Sequence, residues 1–307
     1  MRIAVIGTGG IGGPYGAALA KAGADVTFVA RGAHLSAIRE NGLRIEGDRG
    51  EIHISPPRVT DDIASIGTVD VVLCCVKLWD LEIVAEQLRP TVGPQTAVIP
   101  LQNGVDAAER MIPFLGDDAL MGGTAFVTGA IAAPGVVRQT GTYQRMTFGE
   151  LDGRISERGQ RLRDLCEAAG FEGVLSPDIM VPVWEKFLLM VPLAGLNALT
   201  RLPLGKWREH PELVALYDAV LRETVAVGLA EGVRLSPDSV ENGMAMMRSM
   251  PPYHMTSMGN DLLRGNRLEL PWFAGKVVEL CRRHSIPAPA NGFIYAALKP
   301  YTNGTPA

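Results

Sequence analysis

The stretch Ile3-Ala4-Val5-Ile6-Gly7-Thr8-Gly9-Gly10-Ile11-Gly12 decides the fold of the first half of the chain. A short apolar run leads into three glycines with the spacing GxGxxG, and a helical pattern follows over 11–22. In a βαβ unit the first glycine permits a tight turn, the second admits a pyrophosphate, and the third allows close packing of helix on strand. The diphosphate then lies at the helix N-terminus, where N–H groups and the dipole favour an anion. We therefore expect a dinucleotide cofactor on Gly7, Gly9, Gly10, Ile11 and Gly12; a glycine turn without a ligand is the alternative.

Strand and helix patterns alternate after this turn. Nearly continuous apolar runs predict strands at 3–6, 26–29, 69–76 and 96–101, and helical patterns lie at 11–22, 80–88 and 106–114. Such runs are typical of parallel strands that are covered on both faces by helices. The order predicts an α/β fold with an N-terminal Rossmann-type doubly wound sheet.

The pattern changes in two steps further along the chain. Pro134-Gly135 lies between apolar segments and indicates an antiparallel extension at the edge of the sheet. After about residue 175, helical patterns dominate, at 180–199, 211–231, 237–247 and 271–284. We predict a cofactor-binding domain over 1–175 and an all-helical substrate and catalytic domain over 176–307.

Composition excludes several classes of function. The net charge is −4 and no block of Lys or Arg stands out, which argues against nucleic acid or an anionic membrane as a partner. The most apolar stretch, 181–199, contains two charged residues and two prolines, so a buried helix is expected instead of a membrane span. The four cysteines form no CxxC pair and the five histidines lack metal-ligand spacing. We expect a cytoplasmic protein with no metal; apolar helices in the second half leave a homodimer open.

Arg31 narrows the identity of the cofactor. NAD sites usually place Asp or Glu at the end of the second strand, to accept a hydrogen bond from the ribose 2′-hydroxyl. This chain has Val29-Ala30-Arg31-Gly32 there, and an arginine suits a 2′-phosphate. We therefore expect NADP(H), although Arg31 could also be an ordinary surface residue. Lys77 and Asn103 end two later strands at the carboxyl edge of the sheet, where ligands bind in open α/β folds.

Lys186 is the candidate for catalysis in the second half. It lies ahead of a segment that is apolar on nearly every face, and burial lowers the pKa of a lysine towards the range useful for acid catalysis. The alternative is a lysine at the solvated end of a helix, paired with Glu185.

Seven features together resemble the ketopantoate reductase (2-dehydropantoate 2-reductase) family over essentially the whole chain. They are Gly7–Gly12, Arg31, Val76-Lys77, Gln102-Asn103-Gly104, Trp184-Glu185-Lys186, Thr256-Ser257-Met258-Gly259-Asn260-Asp261 and Arg267-Leu268-Glu269. The resemblance implies an N-terminal Rossmann domain, a helical C-terminal domain, NADPH as hydride donor and a small 2-oxo acid as substrate.

The resemblance also implies roles for individual residues. Lys186 is similar to the lysine that protonates the ketone oxygen, and Glu269 to the glutamate that binds the substrate hydroxyl. Ser257 matches the serine at the substrate carboxylate, and Asn103 the asparagine between nicotinamide and substrate. Arg31 and Lys77 match positions that contact the phosphate or ribose of NADPH.

The chain departs from the family pattern at two positions after the lysine. Where the family has asparagines one and two turns further along the helix, this sequence has Met190 and Ala194. Loss of polar partners reduces discrimination for a polar substrate. Three hypotheses follow: reduction of ketopantoate, reduction of a larger or less polar oxo acid or imine, and a non-catalytic NADP(H) sensor.

Overall fold

The computed structural model describes residues 1–306, which form two compact units. The first unit comprises Met1–Gln102 and Asp106–Met180, and the second comprises Asn103–Val105 and the chain from Val181 onward. The strands, all in the first unit, are β1 (Arg2–Ile6), β2 (Asp25–Val29), β3 (Leu43–Gly47), β4 (Ile52–Ile54), β5 (Arg58–Thr60), β6 (Val71–Cys74), β7 (Ala97–Pro100), β8 (Met121–Ala133), β9 (Val136–Glu150) and β10 (Glu172–Leu175). The helices are α1 (Gly12–Lys21), α2 (Gly32–Asn41), α3 (Leu81–Leu88), α4 (Ala107–Leu115), α5 (Glu157–Ala168), α6 (Met180–Thr200), α7 (Leu204–Trp207), α8 (Pro211–Ala230), α9 (Ser239–Ser249), α10 (Ser257–Leu263), α11 (Ala274–Arg283) and α12 (Pro289–Leu298).

A parallel sheet with the order β5-β2-β1-β6-β7 forms the centre of the first unit. The chain moves outward from β1 on one side and then returns to continue on the other, so the strand order reverses between β1 and β6. This reversal is the topological switch point at which doubly wound sheets bind their ligands. All four residues of β6 and of β7 are buried, as expected for strands covered on both faces. The predicted doubly wound parallel sheet is confirmed.

The long hairpin formed by β8 and β9 belongs to a second sheet. Its turn contains Gly135, which has a φ of +78°, as the Pro134-Gly135 pattern indicates. However, β9 also pairs with β3 and β10, and β4 pairs with β3. The prediction that this segment extends the edge of the first sheet was therefore wrong. β9 pairs instead with the short strand β3, which in turn pairs with β4. A search for long apolar runs does not detect strands as short as these.

The second unit is built from helices α6 to α12, and the predicted helical second half is confirmed. Its longest helix, α6, packs closely on α12 and α8. A Cβ atom added at Gly195 would lie 2.9 Å from Ile294 of α12, and one at Gly228 of α8 would lie 2.9 Å from the Trp184 ring. Within residues 1–306, no helix is both long and apolar enough to cross a membrane. The same residues contain no cluster of His, Cys, Asp or Glu that could hold a metal ion.

Candidate active site

The glycine turn after β1 is held by the backbone of the neighbouring strand. Gly7 has a φ of +96°, a conformation that favours glycine. The N–H groups of Gly7 and Thr8 donate to the Val29 carbonyl at the end of β2, at 3.2 and 3.1 Å. The Thr8 hydroxyl donates to the same carbonyl at 2.9 Å. These bonds fix the turn against the adjacent strand.

The other residues of the motif fit a dinucleotide phosphate. No side chain caps the N-terminus of α1. The Gly13 N–H donates to the Gly9 carbonyl at 2.9 Å and Pro14 has no N–H, so the Gly12 N–H is the group of the first turn that remains available to an anion. A Cβ atom at Gly9 would meet nothing within 4 Å, which leaves open space at the position where a pyrophosphate approaches. At Gly12 an added Cβ would press on the Gly7 carbonyl and lie 2.8 Å from Val5. The turn is therefore open on one side and tightly packed on the other.

The hairpin of the second sheet supports the glycine turn. The backbone of Gly10 packs directly on Gly129 of β8, and no side chain would fit between them. The imidazole of His34 in α2 bridges the same two elements. Its Nδ1 accepts from the Gly135 N–H at 3.0 Å, and its Nε2 lies 2.8 Å from the Thr8 carbonyl oxygen. Since Nδ1 is an acceptor, Nε2 carries the proton and donates to Thr8.

Arg31 lies at the end of β2 with its side chain 78% exposed, but it is paired. Its Nη2 atom donates to Oδ2 of Asp80 at 3.0 Å. Asp80 ends a short 3₁₀ turn after β6, and Lys77, just before that turn, places its Nζ 5.5 Å from the centre of the Trp79 ring. The end of β2 itself carries no carboxylate, which favours NADP(H). The structure brings one to Arg31 from the end of β6, on the other side of β1.

In the second unit, Lys186 lies within α6 and is 9% exposed. The rings of Trp184 and Phe187 pack edge to face beside it, and Phe187 continues the contact to Phe273. Burial lowers the pKa of Lys186 from 10.5 to about 8, and the negative charge of Glu269 partly offsets this fall. Lys186 is therefore a buried lysine under the influence of Glu269, and the alternative of a solvated lysine paired with Glu185 does not apply.

The remaining predicted substrate residues belong to the same unit. Glu269 is 5% exposed, immediately before a short 3₁₀ turn (Leu270–Trp272). Ser257 is the first residue of α10 and is exposed, whereas the cap is made by Thr256, whose Oγ1 accepts from the Gly259 N–H at 3.2 Å. The hydroxyl of Ser257 is thus not needed to cap α10.

Asn103 follows Gln102, which ties β7 to β6 by donating to the carbonyls of Cys74 and Val76, both at 3.1 Å.

Asn197 has a structural role that the sequence does not reveal. Its side chain is fully buried, and its amide donates to the Leu202 carbonyl at 2.8 Å. Its Oδ1 accepts from the Thr256 N–H at 3.0 Å and so holds the segment that leads into α10. Asn197 therefore does not replace the missing asparagines at 190 and 194. Ala194 is fully buried and Met190 is half-buried, so the face of α6 beyond Lys186 offers little polarity.

Comparison with known proteins identifies the family. Models of "Ketopantoate reductase PanE/ApbA" and its C-terminal domain match residues 3–153 and 178–302. A 2-dehydropantoate 2-reductase of Mesorhizobium japonicum is 30% identical and covers 97% of each chain. An uncharacterized oxidoreductase of Bacillus subtilis, YkpB, is 29% identical over 98% of this chain and 99% of its own. The ketopantoate reductase structure from Ralstonia eutropha JMP134 is 29% identical, covers 98% of each chain and has a TM-score of 0.90. The chain is an oxidoreductase that uses a nicotinamide dinucleotide, and it belongs to the ketopantoate reductase family.

Proposed function

We propose that the protein reduces a small 2-oxo acid to the 2-hydroxy acid with NADPH, and that the substrate is 2-dehydropantoate, which is reduced to pantoate for pantothenate and coenzyme A synthesis. The observation that carries the proposal is Lys186, a buried lysine whose pKa is lowered to about 8 near the negative charge of Glu269. A lysine in this state is suited to protonate an oxygen at neutral pH. The names of relatives that match along nearly the whole chain support the choice of substrate.

The proposed reaction requires a hydride and a proton. The bound nicotinamide supplies the hydride to the carbonyl carbon. The Nζ group of Lys186 donates a hydrogen bond to the carbonyl oxygen and stabilises the negative charge that develops there. It then transfers its proton to that oxygen, which becomes the hydroxyl of the product. Because the pKa of Lys186 is about 8, the ammonium is the main form near neutral pH and yet loses its proton more readily than an exposed lysine.

Three other side chains orient the substrate in this proposal. The carboxylate of Glu269 accepts a hydrogen bond from the substrate hydroxyl, and the hydroxyl of Ser257 donates to the substrate carboxylate. Asn103 lies between nicotinamide and substrate. In support, Thr256 alone caps α10, and Asn103 belongs to the same compact unit as Lys186. In the same proposal, the glycine turn binds the diphosphate of the cofactor through Gly7, Gly9, Gly10, Ile11 and Gly12. The 2′-phosphate or ribose is bound by Arg31 and Lys77.

Steady-state kinetics test the proposal directly. Purified protein should oxidise NADPH when 2-dehydropantoate is added, and Lys186→Met should lower kcat on the order of 10³-fold while it still binds NADPH. The matched control is Lys206→Met, which removes an exposed lysine from the same unit and should keep wild-type rates. Tight NADPH binding without turnover would exclude 2-dehydropantoate as the substrate. A fully active Lys186→Met would exclude the proposed role of the lysine.

A second candidate is the reduction of a larger or less polar oxo acid or an imine. Met190 and the fully buried Ala194 favour it, since they leave α6 without polar partners beyond Lys186, and Asn197 is committed to Leu202 and Thr256. A panel of 2-oxo acids with increasingly large apolar side chains distinguishes the two candidate substrates. If the second candidate is right, kcat/KM for the more apolar acids should exceed the value for 2-dehydropantoate. The hypothesis of a non-catalytic sensor is disfavoured by membership in a family of oxidoreductases.

A further inference from the structure

The ion pair between Arg31 and Asp80 spans the glycine turn. In the sheet, β1 lies between β2 and β6, so the residues that follow β2 and β6 flank the turn that follows β1. Arg31 comes from the β2 side and Asp80 from the β6 side, and their side chains meet at 3.0 Å. The pair therefore crosses the switch point of the sheet at the edge where the dinucleotide binds.

The two partners have opposite preferences for the ribose 2′ position. A guanidinium binds a 2′-phosphate through several N–H donors. A carboxylate repels the phosphate, but it accepts a hydrogen bond from the free 2′-hydroxyl of the unphosphorylated cofactor. Asp80 occupies one N–H group of the Arg31 fork, and the guanidinium has five. Arg31 can therefore still bind a phosphate, but only beside a negative charge.

We propose that Asp80 determines how strictly the protein distinguishes NADPH from NADH, and that its charge weakens the preference for NADPH enough for both cofactors to bind. This inference rests on the proposed binding of the dinucleotide at the glycine turn. Asp80 acts by drawing the Arg31 guanidinium towards itself and by opposing the negative charge of the 2′-phosphate. Without this carboxylate, Arg31 would face the phosphate alone.

The test compares cofactor affinities of the wild type with those of Asp80→Asn, using dissociation constants for NADPH and NADH from isothermal titration calorimetry. The preference for NADPH over NADH should rise about tenfold in the variant, mainly through tighter NADPH binding. The gain should shrink at high salt, because charges at an exposed site are screened. The variant should fold normally, since an exposed ion pair contributes little to stability.

The matched control is Asp25→Asn. Asp25 forms a similar exposed pair with Arg58 at 3.0 Å, but it lies at the start of β2, at the opposite edge of the same sheet. It makes the same change in net charge and should leave the NADPH preference unchanged. An unchanged or lower preference in Asp80→Asn would overturn the inference, and a lower one would show that Asp80 pre-orients Arg31 for the phosphate. If the wild type bound neither cofactor, the proposed function itself would fail.

Discussion

Replacing Lys186 by methionine should stabilise the protein near neutral pH. In the folded chain burial lowers the pKa of Lys186 to about 8, whereas in the unfolded chain it returns to 10.5. Between these values the unfolded state binds more protons than the folded state, so the free energy of unfolding rises with pH across this window. Below about pH 8, the folded state bears the full cost of a buried ammonium.

The magnitude follows from the pKa difference. At about 1.4 kcal/mol for each pKa unit, the difference between about 8 and 10.5 corresponds to about 3 kcal/mol. Methionine keeps an unbranched side chain of similar length and removes the charge. Lys186→Met should therefore unfold with a free energy about 3 kcal/mol above that of the wild type near pH 7. The two values should converge as the pH approaches 10.5.

Urea unfolding monitored by tryptophan fluorescence measures this effect. Trp184, Trp207 and Trp272 lie in the helical unit and only Trp79 in the other, so the signal mainly reports on the unit that contains Lys186. Lys206→Met, which changes an exposed lysine, should differ little from the wild type at any pH in this range. A stability difference between Lys186→Met and wild type that does not vary with pH would refute the reasoning. So would a variant less stable than the wild type near pH 7.

Three further predictions concern the turn, the reaction and the helix cap. Gly12→Ala should lower the melting temperature because its Cβ would lie 2.8 Å from Val5. Gly9→Ala should fold normally and instead weaken NADPH binding, because the space at Gly9 is open. Equal melting temperatures for the two variants would contradict this division between packing and binding. The logarithm of kcat/KM should fall with a slope of −1 as pH rises above about 8, because the pKa of the buried Lys186 in the free protein lies there. A flat profile to about pH 10 would exclude Lys186 as the acid. Ser257→Ala should raise KM for the oxo acid without loss of stability, while Thr256→Ala should cost about 1 kcal/mol in the free energy of unfolding through loss of the α10 cap. If Ser257→Ala instead lowered the free energy of unfolding in chemical denaturation, and Thr256→Ala raised KM, the cap would belong to Ser257.

The strands and helices of the first unit could be predicted where their apolar pattern is long and regular. β1, β6 and β7 are such cases, since nearly every residue in them is buried, and β2 is buried at three of its five residues. Helix α2 was not predicted, because it buries only Leu35 and Ile38 and its other residues are polar or small. The short strands β3, β4 and β5 were not predicted either. β3 pairs with β9, β4 with β3, and β5 with β2, and a local sequence pattern does not contain these pairings.

The site shows the same division between local and distant information. The glycine turn and the buried Lys186 could be inferred from neighbouring residues, because burial of the lysine follows from the apolar helix around it. The partner of Arg31 could not, since Asp80 is distant in sequence and reaches Arg31 only through the strand order β2-β1-β6. The role of Asn197 likewise depends on Thr256, which the fold of the helical unit brings to it.

The imidazole of His34 offers a natural spectroscopic label beside the glycine turn. Its Nδ1 accepts from Gly135 and its Nε2 proton is directed at the Thr8 carbonyl, so a single neutral tautomer satisfies both bonds. A nitrogen-15 NMR spectrum distinguishes a protonated from an unprotonated ring nitrogen. Selective labelling of histidine would therefore place a reporter next to the glycine turn, the proposed diphosphate site. Its spectrum would report any shift of the turn relative to the hairpin without a substitution.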